Sequence, residues 1–191
     1  MKKDIILSGV GGQGIISMAA IIGLAALNKG MYLKQSEVHG MSQRGGDVMS
    51  NLRISDEYIY SDLIPHGQAD LIISLEPMES LRYLPYLHPD GWVIANTEPF
   101  VNIPNYPELE KIYDEIKKIK NHVLIPADQI AKELGNDKIV NMIILGASAP
   151  YLGFEKQDLI NAIKQMFGNK GEDIVNLNIK AFEAGYNFKK N

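Results

Sequence analysis

The chain has 191 residues, 46% of them apolar and 22% charged, with a formal net charge of −4. That length and balance suit one α/β domain with a sizeable core, and the acidic charge offers no field for nucleic acid. Cysteine is absent, which excludes a thiolate nucleophile, a disulfide framework and any iron–sulfur cluster held by this chain's own thiolates. The four histidines (His39, His66, His88 and His122) are scattered without an i, i+4 pair, so no metal site is expected.

Asp4 to Ser8 is a short apolar run entering glycines, the pattern of a buried parallel strand. The run Ile5-Ile6-Leu7 is too short for a signal peptide, and no stretch approaches the ~20 apolar residues of a membrane span. A soluble, cytoplasmic chain is therefore expected, without a membrane partner. Ile15 to Asn28 reads as a helix apolar on most of its surface, stopped by Asn28-Lys29-Gly30. Met31 to Gln35 is a second strand, completing one βαβ unit.

Asp47 to Ile54 and Glu57 to Ser61, split by Ser55-Asp56, read as a hairpin adding antiparallel strands. Asp70 to Leu75 is again a buried strand, and Pro77 to Tyr83 a helix with proline in its first turn. The turn Pro89-Asp90-Gly91 sets up a strand from Trp92 to Ala95. Residues 96–107, with three prolines, form a surface connection. Glu108 to Lys120 is an amphipathic helix, and Val123 to Ile125 a short strand. Helices over Ala127 to Leu134 (continuing from Val140 to Ala147), Lys156 to Phe167 and Ile174 to Tyr186 close the chain. The pattern predicts a single domain over residues 1–191, of class α/β: three layers, α/β/α, around a mixed, mostly parallel sheet.

Two segments carry chemistry. Gly9, Gly11 and Gly14 match G-x-G-x-x-G between a strand and a helix. Such a loop keeps side chains away from a ligand and offers backbone N–H groups at the positive end of a helix dipole, which favours a phosphate. The alternative is a tight turn whose glycines only allow close packing. A nicotinamide or flavin site needs an acid at the end of the second strand, and Leu33-Lys34-Gln35-Ser36 ends without one, Glu37 coming late. No Gly-Lys-Ser or Gly-Lys-Thr follows, which excludes a P-loop.

The second segment is Ser36-Glu37-Val38-His39-Gly40-Met41-Ser42-Gln43-Arg44-Gly45-Gly46. It follows the second strand, where open α/β sheets bind ligands. Arg44 suits a bidentate pair with a phosphate or carboxylate, and Gly45 and Gly46 admit close backbone approach. The plainer reading is a solvated loop in which Glu37 pairs with Arg44 and His39 merely titrates. Nothing marks Ser36 or Ser42 as a nucleophile.

Taken together, Gly-Val-Gly-Gly-Gln-Gly-Ile and Ser-Glu-Val-His-Gly-Met-Ser-Gln-Arg-Gly-Gly resemble the gamma-type subunits of the 2-oxoacid:ferredoxin oxidoreductases. The His-Gly-Met-Ser-Gln-Arg-Gly-Gly form is most similar to the beta subunit of indolepyruvate:ferredoxin oxidoreductases. The resemblance spans nearly the whole chain and implies the fold of domain III of pyruvate-ferredoxin oxidoreductase. It implies an enzyme complex that oxidatively decarboxylates a 2-oxoacid, probed first as indolepyruvate or another aryl pyruvate, to an acyl-CoA while reducing ferredoxin. Thiamine diphosphate and the iron–sulfur clusters would belong to a larger partner subunit, in a hetero-oligomer inactive without it. This chain would bind no cofactor alone but share coenzyme A as cosubstrate. The absence of cysteine and of a Gly-Asp-Gly thiamine motif agrees with that division.

The implied binding residues are Gly9, Gly11, Gly12, Gln13, Gly14, Ser42, Gln43, Arg44 and Gly45, with no catalytic residue assigned. The competing readings are an independent Rossmann-like dinucleotide enzyme and a purely structural interaction subunit. Elsewhere, Glu76 and Glu79 fit a helix N-terminus better than a crevice, Asn96 and Thr97 are weak site candidates, and Trp92, Tyr83 and Tyr86 are expected to pack.

Overall fold

The computed structural model describes residues 1–40 and 45–188. Among them are β1 (Lys2–Val10), α1 (Ile15–Asn28), β2 (Tyr32–His39), β3 (Asp47–Ser55), β4 (Ala69–Ser74), α2 (Pro77–Arg82), β5 (Leu87–Asn96), α3 (Leu109–Lys117), β6 (His122–Ile125), α4 (Ala127–Glu133), α5 (Val140–Leu152), α6 (Lys156–Phe167) and α7 (Glu172–Tyr186). The strands form one sheet in the order β2-β3-β1-β4-β5-β6. β1, β4, β5 and β6 are mutually parallel, and β3 is antiparallel to both its neighbours, so β2 runs with β1. The expected three-layer, mostly parallel α/β architecture is the one observed.

Each sheet face feeds a separate core. Ile5, Leu7, Leu52, Leu71, Ile73 and Ile94 pack under α1 and α4 to α7, while Ile6, Ile72, Val93 and Ala95 pack under α2 and α3. That double covering explains why β1 is buried continuously from Asp4 onward and shows no apolar–polar alternation. α1 spans the predicted residues, and Gly30, at φ +69°, turns the chain out of it.

The middle of the chain departs from expectation. The predicted second strand does not stop at Gln35 but continues to His39, and it does not lie beside β1. β3 pairs with β1 from Lys2↔Ser55 to Val10↔Asp47 and with β2 from Tyr32↔Ser55 to His39↔Val48. The hairpin is therefore β2–β3, not residues 47–54 with 57–61. With both edges of β3 occupied, residues 57–61 cannot pair with it, and they form no strand. Instead Tyr58 meets Tyr32 of the edge strand β2 edge-on at 5.7 Å, and the exposed Tyr60 packs on Tyr58.

Pro89-Asp90-Gly91 is likewise no turn before a strand but an irregularity inside β5, where pairing jumps from Ala69↔Leu87 to Leu71↔Trp92. The helix beginning at Ala127 does not run on to Ala147; the chain breaks at Gly135, φ +79°, and restarts as α5. Trp92 packs as expected, stacked on Tyr151 with ring centroids 4.0 Å apart.

α5 and α7 touch backbone to backbone. A Cβ on Gly146 would lie 1.9 Å from the Phe182 carbonyl oxygen, and one on Gly185 1.8 Å from that of Ile143. Neither carbonyl can yield without moving its helix. We expect Gly185→Ala to lower unfolding stability by about 3 kcal/mol, the upper end of overpacking costs, measured as the shift in a urea midpoint. An exposed control such as Gly168→Ala, where a Cβ meets nothing within 4 Å, should leave the midpoint nearly unchanged.

Candidate functional site

The glycine loop leaves the carboxyl end of β1, next to β4, where successive connections move to opposite sides of the sheet. α1 returns toward β2 on one face and α2 toward β5 on the other. Crevices at such points are where open α/β sheets take ligands. The loop holds its shape through its own Gln13. Its Oε1 accepts from the Val10 N–H at 2.7 Å, and its Nε2 donates to the Leu75 carbonyl at 3.3 Å, tying β1 to β4. Gln13 thus fixes the loop from within.

Gly14 is the N-cap of α1 at φ +92°, and a Cβ there would lie 2.6 Å from Asn141 Nδ2, which donates to the Gly14 carbonyl. Gly12, at φ +100°, faces open space. With glycine as N-cap, no side chain caps α1, and no acid stands in its first turn. The N–H groups of its first turn therefore point outward unsatisfied by the helix.

The second motif reaches this loop directly. Gly11 donates its N–H to the Gly46 carbonyl at 2.9 Å, and Asn102 Nδ2 donates to the Gly45 carbonyl at 2.6 Å. At the other side of the hairpin tip, the Gly40 N–H donates to the Asp47 carbonyl at 2.9 Å. Ser36 to His39 are not loop residues but the end of β2. Glu37 does not need Arg44 for a partner, because its Oε1 lies 2.6 Å from His39 Nε2. Ser42, Gln43 and Arg44 lie outside the described residues.

Two clefts flank the glycine loop, and their charge differs. One, of about 590 Å³, opens toward β5 and α5, and Glu98, Asp128, Asp137 and Lys138 line it beside Gly12 and Gly14. The other, of about 380 Å³, opens toward the hairpin and is lined by loop and α1 backbone from Val10 to Ser17 with Glu37, His39 and Val48. The first carries three carboxylates against one ammonium; in the second, among the described residues, the only ionisable side chains are the paired Glu37 and His39.

The remaining candidates serve as ties. Asn96, buried, donates to the carbonyl of Leu75 at 3.3 Å and to Asp128 Oδ2 at 2.6 Å, and accepts from the Ala127 N–H at 3.2 Å. Glu76, also buried, caps α2 through the Glu79 N–H at 2.8 Å, as its position before Pro77 suggested. It also accepts from Tyr106 Oη and the Phe100 N–H, which the sequence did not foretell. Glu76 thereby anchors the connection that carries Asn102 to Gly45.

Burial raises the Glu76 carboxyl above its ordinary value of 4.5, against the lowering effect of its hydrogen bonds. The folded state therefore holds the Glu76 proton more tightly than the unfolded chain does. That contribution is complete below about pH 4.5 and is lost as pH rises through the raised folded value. Glu76→Gln keeps the acceptor and removes the titration. We expect thermal melts to show a smaller loss of stability for the variant than for the wild type as pH rises from 4.5 toward neutrality.

A glycine-rich loop, an uncapped helix N-terminus and Gly46 hydrogen-bonded to Gly11 mark the switch point of an open α/β sheet. The family model of pyruvate ferredoxin/flavodoxin oxidoreductase matches residues 4–188, and the chain belongs to that family. It is 37% identical to the indolepyruvate oxidoreductase subunit IorB of Archaeoglobus fulgidus, covering 98% of this chain and 95% of that one. A solved gamma subunit of a keto/oxoacid ferredoxin oxidoreductase from Geobacter sulfurreducens is 26% identical, with a TM-score of 0.70 and 96% of each chain covered. The fold also matches a 2-oxoglutarate:ferredoxin oxidoreductase from Magnetococcus marinus, solved with 2-oxoglutarate, coenzyme A and succinyl-CoA bound. There the TM-score is 0.76 at 23% identity, and this chain spans 97% of its own length but 30% of the neighbour's. The chain is thus a subunit of a 2-oxoacid:ferredoxin oxidoreductase. Among the described residues, no helix is long and apolar enough to cross a membrane.

Proposed function

We propose that this chain is the small subunit of an indolepyruvate-type oxidoreductase and that it holds the phosphates of coenzyme A at the glycine loop, on the side facing the hairpin. The complex would convert an aryl-substituted 2-oxoacid to its acyl-CoA and carbon dioxide, passing two electrons to ferredoxin. Thiamine diphosphate in the larger subunit supplies the carbanion chemistry of decarboxylation; this chain's residues bind and orient the thiol-bearing cosubstrate.

The observation that carries this reading is the 2.9 Å hydrogen bond from Gly11 to Gly46. It sets Gly46, two residues after Arg44 in the sequence, beside the glycine loop that opens an uncapped helix N-terminus, and a guanidinium reaching that loop would join the helix dipole on one anion. Charge then selects the side. A pyrophosphate on the β5 side would meet Glu98, Asp128 and Asp137, whereas on the hairpin side the one carboxylate, Glu37, is already paired. The names of the relatives support the aryl pyruvate substrate.

An independent dinucleotide enzyme fits the geometry less well. That fold places its ribose-binding acid on the strand beside the glycine loop, and here β3 occupies that place, leaving Glu37 one strand further out. A purely structural role is favoured by one observation: Ile16 and Phe100, each lining a cleft, and the neighbouring Val101 are exposed, an apolar rim suited to a subunit contact.

Co-expression with the larger subunit tests all three. Viologen reduction with indolepyruvate and coenzyme A should require both chains. Arg44→Ala should raise the apparent KM for coenzyme A roughly tenfold, the loss of one charge-assisted contact, with kcat and co-purification unchanged. If the variant no longer co-purifies, the tip is an interface instead; if the isolated chain binds nicotinamide, the subunit reading fails.

A further inference from the structure

We infer that the outer edge of β2 pairs with the same edge of a second copy of this chain, antiparallel about a two-fold axis at Gln35, so that two small subunits share one continuous sheet. The sheet has two edges, β6 with four residues and β2 with eight. Short edge strands, prolines and projecting lysines are the usual guards against edge pairing. β2 contains no proline. Its Lys34 lies back over its own chain, with Nζ 3.4 Å from the Tyr60 carbonyl oxygen and 5.8 Å from the centre of the Tyr58 ring.

The hydrogen-bond pattern fixes which residues face outward. The Gly40 N–H donates to the Asp47 carbonyl at 2.9 Å, one step beyond His39↔Val48 in the β2–β3 register. Alternate residues of a strand turn their backbone groups to the same side, so Val38, Ser36, Lys34 and Tyr32 address β3. The N–H and C=O groups of Leu33, Gln35, Glu37 and His39 point the other way, where no strand lies among the described residues. In an antiparallel pair, outward residues must stand opposite outward residues. A symmetric β2–β2 ladder therefore has its axis through a residue and not between two.

Side chains then choose the axis. Through Lys34 or Glu37 it would set like charges directly opposite, which destabilises the pair. Through Ser36 it would set Val38 against Lys34 and Tyr32 against Gly40. Axes nearer either end leave most of the strand unpaired. Through Gln35 the axis sets Tyr32 opposite Val38 twice, with Lys34 opposite Ser36 and Leu33 opposite Glu37. Tyr32 and Val38 are the large apolar side chains that β2 leaves exposed, at 49% and 59%, and being six residues apart they stand on one face of the strand.

α1 points to the same seam. A solvated helix shows a polar or charged face, yet the 14 residues of α1 include no charged side chain, and Ile16 and Leu27 are exposed. Ile16, Gly23 and Leu27 recur at i, i+7 and i+11, one stripe of the helix. A Cβ on Gly23 would lie 3.0 Å from Leu33 Cδ2, which sets that stripe over β2. A two-fold axis perpendicular to the sheet places both α1 helices on one face, on either side of the joined strands, with these stripes toward each other.

Sedimentation of the full chain and crosslinking in the co-expressed complex test the pairing. The free wild type should sediment as a dimer at micromolar concentration, and Gln35→Pro should raise its dissociation constant at least roughly tenfold. Proline there removes an outward N–H and spares the ladder to β3. The chain has no cysteine of its own, so introduced thiols report the register. Tyr32→Cys combined with Val38→Cys should give a disulfide-linked small-subunit dimer in the complex on adding an oxidant, because opposed residues without backbone hydrogen bonds between them lie closest. Either single variant should give none.

Absence of that crosslink overturns the inference, as does a wild-type dimer that Gln35→Pro leaves intact. If Gln35→Pro folds poorly, or the free chain is monomeric, the crosslink in the complex decides. If Gln35→Pro releases the larger subunit and no crosslink forms, β2 is where the larger subunit docks and the second copy is excluded. Neither readout depends on coenzyme A, so the pairing and the phosphate site stand or fall separately.

Discussion

The pairing of β3 along the whole of β1 is the constraint on which the site depends. Nine consecutive residue pairs, Lys2↔Ser55 to Val10↔Asp47, fix where β3 begins. Because β3 begins at Asp47, the hairpin tip preceding it must lie at the level of Val10, where the glycine loop starts. A slip of one residue would turn Leu52 and Ile54, both fully buried, to the opposite face of the sheet. The apolar pattern of β3 thus sets the register, and the register sets Gly46 within hydrogen-bonding distance of Gly11.

The electrostatics follow from which strand ends where. β5 and β6 deliver Asn96, Glu98 and the start of α4 to one side of the loop, and with them the carboxylates that make that cleft repel an anion. β2 delivers Glu37 and His39 to the other side, already joined. One side of the loop thus carries three carboxylates against one ammonium, and the other the ion-paired Glu37 and His39. The loop itself is symmetrical in this respect; its neighbours are not.

Buried and half-buried polar residues tie this rim together. Gln13, Asn96, Asn141 and Glu76 each bridge a loop to a strand or helix end, and each leaves few of its polar atoms idle. Such ties are required because the connections at the carboxyl edge carry backbone groups that no strand partner can satisfy. Glu76 illustrates the cost, since a buried carboxyl whose proton is held more tightly on folding is retained to hold residues 100 and 106 in place. Position near the edge of the sheet was legible for Gln13, Glu76 and Asn96 but not for Asn141, and of their partners only the α2 cap of Glu76 was.

The elements with one dominant local signal were readable from sequence alone: the buried runs of β1 and β4, the all-round apolar α1, Pro77 opening α2, and α6 from Lys156 to Phe167. So were the two motifs, because closely spaced glycines after a strand and an arginine before two glycines are local chemical facts. What failed was everything set by pairing between distant segments. The alternation in residues 47–61 marks strands without naming partners, and a hairpin with the next segment is the cheapest local guess. Nothing in Asp47 to Ser55 announces that it will enter between β1 and β2. The contact of Gly146 and Gly185 was equally silent, since a small residue in an apolar helix does not identify what approaches it. Sequence by itself determined which residues could serve an anion. Only the tertiary structure decided that Gly46 meets Gly11, and that His39 is held by Glu37 beside the glycine loop, because strand register is fixed by burial on both faces of the sheet at once and not by any residue taken alone.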